Sequence, residues 1–216
     1  DPHLVDVSRS NFGNGMFDAS SGTLSFDRTN QRALAKLEPG FESSINFSLA
    51  LVNLPPIGGA ASGNFTFRLA ATIKMADTTL GIEAPMGQDV LEMKIKTKVL
   101  LVSRIYYQSQ YFVNSGSVPP KVRQKTTYTV VWELSNFSNN VSSVLVETFL
   151  GPNVSWEGSF TPKNAKISYN NELRKVVWNV GTLSAGTGFS RPIKQVVFQI
   201  ALTPAQDQIS QLALLI

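Results

Sequence analysis

The feature that most constrains the fold is the stretch at residues 176–204, VVWNVGTLSAGTGFSRPIKQVVFQIALTP. It starts with an apolar run that ends in Trp178, continues through three glycines, and ends in a second apolar run. In that second run Val196, Phe198, Ile200 and Leu202 alternate with Gln195, Val197, Gln199 and Ala201. A period of two predicts a strand with one buried face. The stretch therefore predicts a strand, a glycine-containing turn and a second strand.

A degenerate copy of this pattern lies upstream, at residues 24–51. In both copies an aromatic strand end is followed by a Leu and, three residues after that Leu, by a Gly. A strand of the pattern Ile/Val-x-Phe-x-Ile/Leu-x-Leu comes next, and in the upstream copy it consists of Ile45, Phe47, Leu49 and Leu51. The sequence thus predicts one architectural unit that is used twice.

Length and composition favour two β domains. A chain of 216 residues suits two domains of about 100 residues each. Its apolar segments are dominated by Val, Ile, Thr and Phe, without a long helical period, so the predicted class is all-β. The Gly- and Pro-containing stretch at 114–120 resembles a stiff spacer. We therefore predict one module at 1–113, a linker at 114–120 and a second module at 121–216.

The two copies differ in the number of predicted strands that precede and follow them. The second copy is preceded by two predicted strands, at 126–135 and 141–150, whereas at most residues 4–7 precede the first. Two further strands, at 65–75 and 90–102, follow the first copy. We therefore expect the modules to be completed by other segments or subunits, because unpaired strand edges are adhesive. The apolar tail at 212–216 suggests a piece cut from a longer chain, and in an assembly we expect it to be buried against a neighbour.

Catalytic chemistry has little support in the sequence. Cysteine is absent, which removes thiol nucleophiles and structural zinc, and His3 is the only histidine. Gly181 and the run Gly186-Thr187-Gly188 resemble a phosphate loop, but no helix follows them, so they predict turns. The loop acids lack calcium-loop spacing: Asp18, Asp27, Asp77, Glu83, Asp89, Glu147 and Glu157. We predict no enzyme activity and no cofactor, with a low-affinity calcium site at the joint between modules as the alternative.

Charge indicates solvated surfaces rather than a nucleic-acid site. The net charge is +4, and the basic residues are densest at Lys94, Lys96 and Lys98 and at Lys121, Arg123 and Lys125. Both sets occupy alternate positions and are predicted to line a solvated strand face. A polyanion-binding stripe is the alternative, although nucleic-acid binders usually add interleaved aromatics. No run of 18 apolar residues occurs, so this segment is not expected to insert into a membrane.

Several aromatic residues are candidate contact residues. Trp132 and Trp178 occupy the apolar phase of alternating strands, so we predict that they lie in the core. Trp156 follows a Gly-Pro-Asn turn and is predicted to be the most exposed of the three tryptophans. Four more aromatics precede the spacer and are predicted to pack the joint between modules: Tyr106, Tyr107, Tyr111 and Phe112. These four and Trp156 are the candidate partner-contact residues.

Residues 118–208 resemble the immunoglobulin-like repeats of long bacterial cell-surface proteins, particularly those of small-genome candidate-phylum bacteria. The matching elements are VPPKVRQKTTYTVVWELSNFSNNVSS, LGPNVSWEGSFTP, ISYNNELRKVVWNVGTLSAGTG and VVFQIALTPAQDQ. The first half resembles the companion module through GNGMFDASSGTLSFD, LAKLEPG, INFSLAL and KIKTKVLLVS, with Leu-Glu-Pro-Gly in place of the usual turn. The resemblance implies two tandem immunoglobulin-like β-sandwiches and no catalytic residues.

The resemblance also implies an extracellular place at the cell surface, in a stalk, a fibre or an envelope layer. The expected partners are neighbouring modules of the same chain or identical subunits. The alternative is an adhesin that binds a glycan or a protein through the predicted loops at 53–63 and 76–88, because long loops often carry binding functions.

Overall fold

Alternating apolar and polar residues build antiparallel strands throughout the chain, which confirms the predicted all-β class. The structure is a computed structural model, and it describes residues 5–36, 38–40, 42–52, 63–77 and 82–216. The chain divides into two compact units, Asp1–Leu54 (unit 1) and Pro55–Ile216 (unit 2). His3 lies outside the described residues, as do residues 53–62 of the predicted loop at 53–63.

Unit 1 contains two small antiparallel sheets. Its strands are β1 (Val5–Asn11), β2 (Met16–Asp18), β3 (Thr23–Ser25) and β4 (Ser48–Leu51). β1 pairs with β4, and β2 pairs with β3. Between β3 and β4 a 3₁₀ turn covers Arg32–Leu34.

Unit 2 contains a two-stranded ribbon and two larger sheets. The ribbon consists of β5 (Thr66–Asp77) and β6 (Ile82–Lys94). The remaining strands are β7 (Val99–Tyr106), β8 (Thr126–Asn136), β9 (Val141–Phe149), β10 (Val154–Thr161), β11 (Lys166–Asn170), β12 (Lys175–Leu183) and β13 (Lys194–Leu202). One sheet has the order β10-β13-β8-β7, and the other has the order β11-β12-β9.

The core of unit 2 lies between these two sheets. β8 contributes Val130, Trp132 and Leu134, and β13 contributes Val196, Phe198, Ile200 and Leu202. Val146 of β9 and Val176, Trp178 and Leu183 of β12 pack against them. Trp132 and Trp178 are each 2% exposed, which confirms that both belong to the core. The Trp132 and Phe198 rings meet edge to face, with centroids 4.9 Å apart.

The seven strands divide between the sheets as four and three, as in constant-type immunoglobulin domains. When β7 to β13 are counted as the first to the seventh strand, β7 pairs with β8 and β9 pairs with β12, again as in that fold. The fifth and seventh strands, β11 and β13, exchange places relative to that fold. As a result β13 lies beside β8, and β11 lies beside β12. The result is a sandwich with its own strand order.

The division of the chain differs from the predicted one at two places. β7 and β8 are neighbours in one sheet, so residues 114–120 connect two paired strands of unit 2 rather than two compact units. The predicted strand at 90–102 is split, because β6 ends at Lys94 and β7 begins at Val99. Met93 and Leu101, which share the apolar phase of that predicted strand, are 45% and 49% exposed.

The apolar end of the chain packs partly on its own unit. The Gly151 amide donates a hydrogen bond to the Leu215 carbonyl (3.1 Å), and Leu215 and Ile216 lie against the core. A Cβ at Gly151 would stand 1.8 Å from the Leu214 carbonyl oxygen, so only glycine allows this approach. Leu212 and Leu214 stay exposed, and burial of the tail against a neighbour remains a prediction.

The Asp18 carboxylate accepts the hydrogen bonds that hold the turn between β2 and β3, so we expect this turn to weaken in acid. Asp18 accepts hydrogen bonds from the Ser20 hydroxyl, the Ser21 hydroxyl and the Ser20 amide, and these lower its pKa from 3.8 to about 2. A lowered pKa stabilises the fold above pH 3.8, and the stabilisation is lost as the pH falls towards 2. We expect NMR titration to give this low pKa for Asp18, and Asp18→Asn to flatten the acid response of the β2–β3 amides. A carboxyl that titrates near 3.8 would contradict this geometry.

Candidate functional site

The predicted linker is part of a segment that covers the outer face of the β8–β13 sheet. We call residues 107–118 the strap. Within it, the Asn114 side chain donates to the Thr129 hydroxyl (2.9 Å), and the Ser115 amide donates to the Thr127 hydroxyl (2.7 Å). Gln199 donates to the Asn114 side-chain oxygen (2.9 Å). These bonds explain why Thr127 and Thr129, on the face opposite the core, are buried.

Three of the four aromatics predicted at a module joint belong to the strap, and the fourth ends β7. The Tyr107 ring meets Tyr128 edge to face at 6.1 Å, and its hydroxyl donates to the Gly116 carbonyl (2.6 Å). Burial, with Tyr107 as a second cause, raises the pKa of Tyr128. The Tyr111 hydroxyl donates to Gln195 (3.3 Å), and Phe112 is half-buried. Tyr107 and Tyr111 thus fasten the strap to the sheet of unit 2.

Two of these aromatics keep exposed surface. Tyr106 is 42% exposed at the end of β7, and Tyr111 is 39% exposed. The structure does not bring either of them next to Trp156, whose ring lies nearly parallel to Tyr169 at 6.0 Å and contacts Phe198 at 5.2 Å. Trp156 is half-buried, more exposed than Trp132 and Trp178, which confirms its predicted rank.

Sequence reasoning missed a cluster of asparagines in the β8–β9 turn. We call Asn136, Asn139 and Asn140 the asparagine clamp. Asn136 is fully buried; its amide group donates to the carbonyls of Asn139 (2.7 Å), Leu183 (3.0 Å) and Ser184 (3.1 Å). Its oxygen accepts from the Thr97 hydroxyl (2.8 Å). Asn136 therefore joins the turn to the segments that contain Thr97 and Leu183.

The other two members of the clamp hold the base of the β5–β6 ribbon. Asn139 accepts from the Phe65 amide (2.8 Å) and donates to the Phe65 and Ile95 carbonyls (2.8 Å each). The Asn140 amide donates to the Asn64 side-chain oxygen (2.8 Å). The signal for this arrangement is the asparagine-rich run NFSNN, which alone indicates only a turn.

Beyond its base, the ribbon exposes apolar side chains to solvent. Among the described residues, β5 and β6 pair only with each other. The exposed apolar side chains are Ile73, Met75, Met86, Val90, Leu91 and Met93. An isolated two-stranded hairpin is marginal in water, and this ribbon leaves those six apolar side chains exposed, so it is a candidate contact surface. The predicted loop at 76–88 is wrong at both ends, since residues 76–77 belong to β5 and residues 82–88 belong to β6.

A groove of about 690 Å³ lies where the ends of the two sheets of unit 2 meet. Its ionisable lining consists of Tyr111, Lys166 and Lys194, and the lining also includes Trp178 and Ile193. Gly181, which borders it, has a φ of +74° and sits at a register shift of β12, so it marks a β-bulge rather than a turn. Gly186 and Gly188, with φ of +76° and +81°, do form the predicted turn.

No charged side chain is buried in the described part of the chain. Glu147 pairs with Lys175, and Glu157 pairs with Lys125. Within the described part of the chain, no three acidic, His or Cys side chains are grouped so that they could hold a metal ion. The expected basic strand faces are wrong, because residues 96–98 and 121–125 lie outside the strands.

Unit 1 shares its pairing order with half of unit 2. β1 pairs with β4 as β10 pairs with β13, and both pairs run antiparallel. Val5 stands opposite Leu51, as Val154 stands opposite Leu202, and a register shift follows in both pairs. β4 and β13 occupy corresponding positions in the two sequence copies, and β1 and β10 lie upstream of those copies.

The hairpins correspond as well. β2 and β3 are joined by residues 19–22, and β11 and β12 are joined by residues 171–174. In each hairpin the last loop residue has a positive φ, +66° at Gly22 and +53° at Arg174. Phe17 then faces Leu24 as Tyr169 faces Val176. The strands β1–β4 thus match β10–β13 in order and in local geometry.

Comparison with known proteins gives no match: no family model fits the sequence, and no curated protein or solved structure matches it. No helix in the described ranges has both the length and the apolar character that crossing a membrane requires.

Proposed function

We propose that this chain is a non-catalytic structural component of an extracellular, repeat-built bacterial surface protein. Such a protein would form a stalk, a fibre or a layer of the cell envelope. The observation that carries the proposal is the match between β1–β4 and β10–β13, since two copies of one strand arrangement in one chain are typical of modular proteins. The resemblance of residues 118–208 to immunoglobulin-like surface repeats supports the same function.

Exposed strands support a role in assembly. The β5–β6 ribbon presents apolar side chains, and β7 exposes Val99, Leu100, Leu101 and Val102. In a folded protein, exposed strands of this kind favour contacts with neighbouring modules or identical subunits. Tyr106, Tyr111 and Trp156 are the aromatics that we propose as partner contacts.

The proposal predicts self-association. Size-exclusion chromatography with light scattering of the 216-residue chain at micromolar concentration is expected to show species larger than a monomer. Met86→Lys with Leu91→Lys, which place charges on the exposed ribbon, are expected to reduce them; Leu173→Lys, an exposed change in the β11–β12 turn, is the control. Antibody labelling of intact cells is expected to detect the protein without permeabilisation. A monomer that labels only permeabilised cells would refute the proposal.

An adhesin is the second candidate function. The exposed Met75 and Met86 of the ribbon favour a protein ligand, because flexible thioether side chains adapt to varied surfaces. A monomeric chain that binds a glycan on an array, or a host protein, would favour this function over the assembly role.

A further inference from the structure

We propose that β3 and β4 of unit 1 form an acceptor site for a β-strand pair of the kind that β8 and β9 provide in unit 2. The occupant is a strand pair with alternating apolar residues that belongs to a separate module of the same kind. The inference goes beyond the proposed function, because it concerns strand pairing and does not depend on where the protein is located.

The first observation is the pairing of the equivalent strands. In unit 2, β13 lies between β10 and β8, and β12 lies between β11 and β9. β4 of unit 1 corresponds to β13, and β3 corresponds to β12. Among the described residues each of them has one partner: β4 pairs with β1, which corresponds to β10, and β3 pairs with β2, which corresponds to β11. No strand of the described ranges therefore pairs with the edges of β3 and β4 that correspond to the β9 and β8 positions.

The second observation is burial. All the fully buried apolar side chains of the described residues lie between Val130 and Leu202, so none belongs to unit 1. Phe47 is 38% exposed, whereas Phe198, at the same position of its copy, is fully buried. Leu51 is half-buried where Leu202 is 3% exposed. A unit this small that lacks a closed core gains stability when strands cover it.

The chemistry of the occupant follows from unit 2. There Phe198 belongs to one buried apolar cluster with Val130, Trp132 and Leu134 of the neighbouring β8 and with Val146 of β9. Phe198 stands opposite Val130, so Phe47 is expected to face an apolar residue of the incoming strand. β4 carries no charged residue, and β8 carries only Glu133, so the two strands are compatible in charge. Main-chain hydrogen bonds would supply affinity, and the alternate side chains would supply specificity.

The test appends an extra copy of residues 124–150 ahead of Asp1 of the full chain. A Gly/Ser linker of about 12 residues has a mean reach of roughly 20 Å. The control fusion carries Val130→Ser, Trp132→Ser and Leu134→Ser in the appended copy only. Hydrogen exchange is followed by mass spectrometry. In the first fusion, the amides of residues 45–51 and 23–26 are expected to exchange at least roughly ten times more slowly than in the control fusion.

A second variant tests the contact itself. Phe47→Ser removes a side chain that is already partly exposed, so the unfused chain is expected to tolerate it. In the first fusion the same change is expected to abolish the added protection. Equal exchange in the two fusions would overturn the proposal. Protection of 45–51 that grows with the concentration of the unfused chain would also overturn it, because the occupant would then be a second intact copy. Labelling only of permeabilised cells would refute the surface function and leave this result unaffected.

Discussion

Replacing Asn136 with alanine is expected to destabilise unit 2 by about 3 kcal/mol or more, because the change removes four hydrogen bonds of a fully buried side chain. The carbonyls of Asn139 and Leu183 lose a buried donor, whereas the Ser184 carbonyl still accepts from Thr187 and the Thr97 hydroxyl still accepts from the Ser138 amide. Each unsatisfied buried group costs about 1–3 kcal/mol. Urea unfolding followed by tryptophan fluorescence measures the effect selectively, since Trp132, Trp156 and Trp178 all belong to unit 2.

The matched control for Asn136 is Asn171→Ala. Asn171 is an exposed asparagine in the β11–β12 turn, and its replacement is expected to change stability by no more than about 0.5 kcal/mol. A loss for Asn136→Ala within about 1 kcal/mol of that control would mean that water replaces the missing hydrogen bonds. The asparagine clamp would then not hold the turn.

Truncating Phe198 to alanine is expected to cost about 3–5 kcal/mol. The Phe198 ring is fully buried and lies 4.9 Å from Trp132 and 5.2 Å from Trp156. Its loss removes apolar contacts and leaves a cavity between the two sheets. For a unit of this size the melting temperature is expected to fall by about 6 °C or more.

Leu145→Ala is the control for Phe198. Leu145 is 57% exposed on β9, so its truncation is expected to have little effect. The tryptophan emission of the folded Phe198→Ala protein is also expected to change, since the variant alters the surroundings of two indoles. Similar losses of stability in the two variants would contradict the position of Phe198 between the sheets.

The sequence predicted the strands that enclose the core, because alternating apolar residues lie on one face of a strand and that face is buried. Trp132, Trp178 and Phe198 belong to such apolar faces and lie between the two sheets. The outer face of the same sheet was not predictable in this way. The Thr129 side chain is polar and points away from the core. Such a side chain fits equally well against solvent and against the polar strap that covers it in the structure. A Gly- and Pro-rich segment such as 114–120 has the composition of a linker in either case.

The ribbon was not predictable from alternation either. Met93, Ile95 and Leu101 keep one phase across residues 90–102, so the pattern predicts one continuous strand. The break at 95–98 is imposed by contacts distant in sequence, in which Phe137 and Asn139 bond to Lys98 and Ile95. Local periodicity does not contain that information. The loops predicted at 53–63 and 76–88 likewise rested on composition alone.

The strap makes the centre of the four-stranded sheet the middle of three layers. β8 and β13 meet the second sheet on one side and their own chain on the other, so the strap would have to detach before a flat ligand could lie on them. A ligand of this sheet would therefore have to bind at its rims, along β7 and β10. Molecules that attach at such rims extend the sheet sideways rather than stacking on it. An assembly built in this way would grow along one axis, with a polarity set by the strand order.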